Sequence, residues 1–275
     1  MFVDSHCHLN FPELKSQIKD IRAAMQAAHV THAMVISTTL EEFPSVHEMA
    51  MSYDNFWATV GVHPDNETLE DGVPIQEPTV EDLLTRAVLP KVVGIGETGL
   101  DYYRLNGRTI TQMEWQRERF RVHIRAAQAC QKPLIIHTRS ASDDTIAILK
   151  EMGEDARQGT AGKPCAGGVF HCFTETVEVA RAALDLGFYI SFSGILTFKN
   201  AQAIRDAAAF VPLERCLIET DSPYLAPTPY RGKTNTPAYV TYVAQELARV
   251  KGVSVEEVAR VTGDNYFKLF KGATR

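Results

Sequence analysis

Short runs of apolar and β-branched residues recur along the chain, each followed by a longer stretch in which apolar residues return every three or four positions. The runs are FVDSH from Phe2, HAMVIST from His32, WATVGVH from Trp57, VVGIGE from Val92, PLIIHT from Pro133, GGVFHCF from Gly167, FYISFSG from Phe188 and CLIETD from Cys216. Between them, EWQRERFRVHIRAAQAC at 114–130 and ETVEVARAALDL at 175–186 have the spacing of amphipathic helices. Strands alternating with helices run parallel and are joined by right-handed crossovers. Eight such units with near-continuous apolar strands predict an α/β fold, a single (β/α)8 TIM barrel; a doubly wound open sheet is the alternative. Stretches 65–78, 154–164 and 223–237 read as surface loops, the last long enough to cover an active-site mouth. No repeat or Gly/Ser-rich linker divides the chain, so 1–275 is expected to be one barrel domain.

Composition leaves this picture intact. With 45% hydrophobic and 23% charged residues, the chain can bury a full-sized core. Its opening, MFVDSHCHLN, lacks a basic start and a long apolar stretch, and no later run reaches the roughly 18 apolar residues of a membrane span. A cytoplasmic location, no membrane association and a monomeric state are therefore expected. Cys7, Cys130, Cys165, Cys172 and Cys216 are scattered and odd in number, which argues against a disulfide framework; Cys7 and Cys172 are expected to be core thiols. The net charge of −6 offers a polyanion no general attraction, so a nucleic acid would have to be gripped locally.

The chemistry lies in polar residues at the carboxyl ends of apolar runs: His6, His8, His63, Glu97, His137, His171 and Asp221. In a barrel those ends form one rim, where catalytic groups gather. His6 and His8 flank one residue of an extended segment, so both imidazoles face the same side and are able to grip one ion. Glu97, at the top of an apolar strand, requires a positive partner, and a carboxylate is able to bridge two cations. His137 and His171 each follow a strongly apolar run; singly such histidines are usually structural, but together with the others they read as ligands. Asp221, beside the first strand once the barrel closes, is expected to be both ligand and proton acceptor, with Glu219 deeper on the same face. A set of four histidines and two carboxylates exceeds one tetrahedral site and implies two divalent ions. Arg139, Arg231 and Lys233 would supply cationic donors at the rim, Tyr102 and Tyr103 would stack a base, and Asp101 would orient a ligand or loop.

The motif series DSHCHL (4–9), GVHP (61–64), GETGLDYY (96–103), H-x-R (137–139), FHCF (170–173), ETDSPYL (219–225) and RGKTNTP (231–237) resembles the TatD family of metal-dependent deoxyribonucleases, among the amidohydrolase-like barrels. The resemblance implies two divalent ions (Mg, Mn, Zn or Ni) and hydrolysis of DNA phosphodiesters, typically as a 3′ to 5′ exonuclease on single strands. It implies His6, His8, His137, His171 and Asp221 as ligands, Glu97 as the bridging carboxylate, and Glu219 in support of metal or water. His63 would meet a substrate phosphate. In the expected mechanism the ions acidify a water, Asp221 takes its proton, and Arg139 and His63 neutralise the phosphoryl group. One departure is Glu175, where the family often has glycine, putting a carboxylate where it would repel a phosphate backbone. Two other readings are an amidohydrolase acting on an amide, ester or lactone carbonyl, and a non-catalytic barrel scaffold. Glu97 stands where such amidohydrolases commonly carry a carbamylated lysine, and the complete ligand set argues against a scaffold.

Overall fold

A computed structural model describes residues 1–69, 71–155 and 165–275. Strands β1 (Phe2–Cys7), β2 (Val30–Val35), β3 (Phe56–Val60), β4 (Val92–Asp101), β5 (Leu134–Arg139), β6 (Gly168–Phe170), β7 (Tyr189–Phe192) and β8 (Cys216–Ile218) form one parallel sheet in sequential order. Its edges meet: Cys7 bridges Ser222, the Asp221 N–H donates to the His6 carbonyl at 2.9 Å, and the His8 N–H to the Ser222 carbonyl at 2.8 Å. The barrel reading therefore holds over the open sheet.

Helices α1 (Pro12–Lys15), α2 (Ile18–Ala27), α3 (Phe43–Met51), α4 (Val80–Ala87), α5 (Glu114–Cys130), α6 (Ser142–Glu151), α7 (Val177–Asp185), α8 (Gln202–Phe210), α9 (Val240–Lys251) and α10 (Val255–Leu269) surround the strands. Local chemistry sets their ends. A capping box of Thr79 and Asp82 starts α4, and Ser254 accepts the Glu257 N–H to start α10. The predicted helix at 175–186 begins two residues later, because Thr176 is the residue that caps α7. Left-handed Gln131 ends α5 and left-handed Gly252 ends α9.

The core has two layers. Outward strand residues such as Ala33, Val35, Leu134 and Ile136 pack against the helices. Inward residues such as Met34, Val93, Ile135 and Leu217 fill the barrel, where Tyr266 and Phe270 at the end of α10 close the amino-terminal end. Each such buried large side chain contributes about 2–3 kcal/mol.

Two register slips aim the polar residues. On β1, Asp4 and Cys7 pair with Ala33 and Val35 of β2, three residues against two. On β4, Ile95 and Thr98 pair with Leu134 and Ile136 of β5 in the same way. Each slip inserts one residue and switches the face presented beyond it. Without the slip on β4, Glu97 would share the outward face of Ile95. Loop 65–78 is described apart from residue 70, and most of 154–164 lies outside the described residues.

Candidate metal centre

The carboxyl ends of the strands meet above the inner core in a cavity of about 750 Å³, lined by His8, His63, Glu97, His137, His171 and Asp221 among others. His6 lies at its base, fully buried. Glu97 is the hub: Oε2 stands 3.3 Å from His6 Nε2 and 4.0 Å from His8 Nε2. Oε1 stands 2.8 Å from His171 Nε2, 3.2 Å from His137 Nδ1 and 3.4 Å from His63 Nε2. Asp221, three residues beyond β8 with φ 56°, brings Oδ1 within 3.4 Å of His8 Nε2 and 3.6 Å of His6 Nε2. All six residues named from sequence as ligands thus converge, and His63 joins them.

A second ring of contacts orients these groups. Asp101 Oδ2 lies 3.0 Å from His137 Nε2. Glu219 is fully buried behind His171, accepting the Cys172 N–H at 2.7 Å and lying 3.3 Å from His171 Nδ1; it does not line the cavity. Asp4 accepts the His6 and Thr220 N–H groups, tying β1 to the segment that carries Asp221. Burial pushes its carboxyl up to about 8 against those hydrogen bonds. The His63 backbone is held by Arg119, which donates to the carbonyls of His63 and Asn66 at 2.9 and 2.7 Å, and by the Val62 N–H donated to His123 Nε2 at 3.0 Å.

Several features fit cations. His6 and His171 stack face to face with centroids 3.9 Å apart, and both His6 ring nitrogens are buried without a hydrogen bond. Burying unpaired polar atoms is costly unless another partner satisfies them. Three groups have ligand atoms mutually within 4.8 Å: His6, His8 and Glu97; His6, His171 and Asp221; His63, Glu97 and His137. Burial raises carboxylates, yet His171 and His63 hold Glu97 well below its usual range, and His8 lowers Asp221. Burial pushes His6 down and His63 to about 3, so both are neutral and available as ligands or donors. Desolvation also opposes charge on His8, His137 and His171, but adjacent carboxylates pull these three up, a demand for positive charge that divalent ions meet equally well. Imidazole with carboxylate and no thiolate suits zinc, manganese, nickel or magnesium.

Other expectations fare differently. Arg139 lines the cavity, as does Arg104, which sequence reasoning missed. Tyr102 does not: it is only 7% exposed and its hydroxyl donates to Asp144 at 2.7 Å, so it is a packing residue. Arg231 lies over the Phe198 ring and Lys233 near Tyr230, both exposed and outside the cavity lining. Cys7 is a core thiol as expected, donating to the Met34 carbonyl, whereas Cys172 lines the cavity because its left-handed backbone turns it there. Glu175 borders a neighbouring groove beside Tyr102 and Asp144 rather than the cavity. Phe11, Asn66 and Tyr224 are further lining residues.

Comparison with known proteins places the chain among the metal-dependent hydrolases. The family described as TatD related DNase matches residues 3–271, and the chain belongs to that family. An uncharacterised metal-dependent hydrolase of Escherichia coli K12, YcfH, is 46% identical over 98% of this chain and 95% of its own length. YabD of Bacillus subtilis, also described as an uncharacterised metal-dependent hydrolase, is 36% identical over 98% of this chain and 99% of its own. The crystal structure of YjjV, a TatD homologue from Escherichia coli K12, superposes with a TM-score of 0.84 at 27% identity, covering 98% of each chain. Among the described residues no helix is long and apolar enough to cross a membrane.

Proposed function

We propose that the chain is a deoxyribonuclease that hydrolyses phosphodiester bonds of single-stranded DNA from the 3′ end, using two divalent ions held by His6, His8, Glu97, His137, His171 and Asp221. The observation that carries this reading is the division of Glu97, one oxygen turned to the His6 and His8 pair and the other to His63, His137 and His171. Bound ions supply polarisation of the phosphoryl oxygens and acidification of water. The chain's own residues do the rest. Asp221, kept ionised beside His8, accepts the proton of the attacking water. The Asp65 N–H donates to His63 Nδ1, which leaves the Nε2 proton of the neutral ring for a phosphoryl oxygen. Arg139, the last residue of β5, adds cationic charge to the cavity wall beside that phosphate. Glu219 holds His171 in place.

Two arginines on the cavity wall favour a phosphoester over a carbonyl substrate. Five free cysteines support a reducing, cytoplasmic compartment. The test is hydrolysis of single-stranded DNA labelled at either end, with protein loaded with Mg, Mn, Zn or Ni. The unaltered protein should shorten strands from the 3′ end, while Glu97→Ala and Asp221→Asn lose at least about a hundredfold in kcat/KM. Turnover of both variants at the unaltered rate would overturn the assignment.

A further inference from the structure

In a ring of eight strands in sequential order, the loops after β4 and β5 lie across the mouth from those after β8 and β1. The two sides differ in chemistry. Phe11, Tyr224 and Leu225 line the β8 and β1 side, with Ile195 beyond β7 beside them. Phe11 stacks on His8 with centroids 4.8 Å apart, and Tyr224 stands edge-on to Phe11 at 6.2 Å. Tyr224 is 54% exposed, so its ring is open to a partner. Opposite, the cationic groups of the lining are Arg104 and Arg139.

Neither arginine pairs with a carboxylate among the described residues; burial raises the Asp65 carboxyl, and Arg104 is near enough to offset part of that rise but not to pair. The Arg139 guanidinium carbon lies over Tyr103, 3.6 Å from the ring centre. Stacking occupies the face of the guanidinium and leaves its in-plane N–H donors free for a planar or tetrahedral anion. On a chain with net charge −6, two unpaired arginines at one rim are a local grip for anionic substrate.

We infer that the cavity takes a strand with polarity: a phosphodiester at the histidine and carboxylate centre, a planar ring on one side seated against Phe11 and Tyr224, and a second phosphate on the other side held by Arg104 and Arg139. This rests on the phosphodiesterase reading above and adds the minimum substrate, a nucleotide unit with a neighbouring phosphate rather than a simple phosphate ester. Bases stack on aromatic rings irrespective of identity, so the site reads length and charge more than sequence.

The experiment measures binding of a fluorescent, phosphorothioate-linked trinucleotide to metal-loaded protein by anisotropy across a range of salt. Phe11→Ala and Tyr224→Ala should each weaken binding about tenfold with the salt slope unchanged. Arg104→Gln and Arg139→Gln should each weaken it about tenfold, and the double variant should lower the slope of log Kd against log salt by about 0.7, the share of one phosphate. Replacing the second phosphate of the probe by a neutral methylphosphonate should abolish the difference between the arginine variants and the unaltered protein. Circular dichroism checks that each variant is folded. Arginine effects equal on both probes, or a salt slope that does not move, would overturn the inference. Because binding is read without turnover, a protein that binds with this polarity but cleaves nothing sinks the phosphodiesterase reading alone. One that cleaves DNA while the two probes behave alike sinks the polarity alone.

Discussion

Asp101 and His137 form an oriented pair: Asp101 Oδ2 lies 3.0 Å from Nε2, so the imidazole carries its proton there and turns the Nδ1 lone pair toward Glu97. Asp101 is itself fixed, accepting the Tyr103 N–H at 2.8 Å and donating its own N–H to Gln116. A carboxylate behind a liganding histidine fixes its tautomer and raises its basicity. Asp101→Ala is therefore expected to weaken binding of Mn or Zn roughly 10- to 100-fold, measured by equilibrium dialysis. An unchanged metal affinity would show that Asp101 serves the loop alone.

His123, buried under the His63 loop, leads to a pH prediction. Burial lowers its pKa to about 4 against the hydrogen bond that Nδ1 donates to the Arg119 carbonyl, and Nε2 must stay unprotonated to accept the Val62 N–H. The unfolded chain takes up this proton near 6.5, the folded one only near 4. Stability from the neutral ring is thus complete above 6.5 and is lost as pH falls toward 4, by about 3 kcal/mol. Denaturant unfolding should find the stability difference between the unaltered protein and His123→Leu shrinking over that window. A difference that stays flat would remove the ring from the account.

Arg119 ties the same loop by another route. Its buried guanidinium donates to the carbonyls of His63, Pro64 and Asn66 and pairs with Glu77. Arg119→Ala leaves those carbonyls without a partner, at a cost of about 2–4 kcal/mol. Urea melts should show it, and with His63 loosened, KM for a phosphodiester should rise as well.

Gly99 and Gly107 both have positive φ, 130° and 81°, but different surroundings. A Cβ on Gly99 would sit 2.0 Å from the His137 carbonyl, while one on Gly107 would meet nothing. Gly107→Ala should cost about 1 kcal/mol from backbone strain alone. Gly99→Ala should cost several times that and weaken metal binding, because β4 must move away from His137. Equal melting temperatures for the two variants would contradict this.

Much of the centre was legible because it depends on period. His6 and His8 share a face since one residue separates them, and His137 and His171 each follow an unbroken apolar run. The slips on β1 and β4 were not legible, since one inserted residue leaves no mark in the hydrophobic pattern, yet the second of them turns Glu97 inward. Tyr102 and Tyr103 are neighbours of identical type, and only the course of the chain shows that Tyr103 carries Arg139 while Tyr102 packs against Asp144. Arg231 and Lys233 lie outside the cavity lining for the same reason: a loop's path is set by packing, here Arg231 on Phe198. Phe11 and Arg104 had no periodic signal; each simply follows a motif by a residue or two.

Tyr266 and Phe270 stopper the barrel beneath the metal centre, so the cup above them is blind. A polymer cannot be threaded through it. On the proposed exonuclease reading, each piece cut off would back out past the incoming end by the same opening, so that withdrawal of the product, rather than forward sliding, admits the next unit.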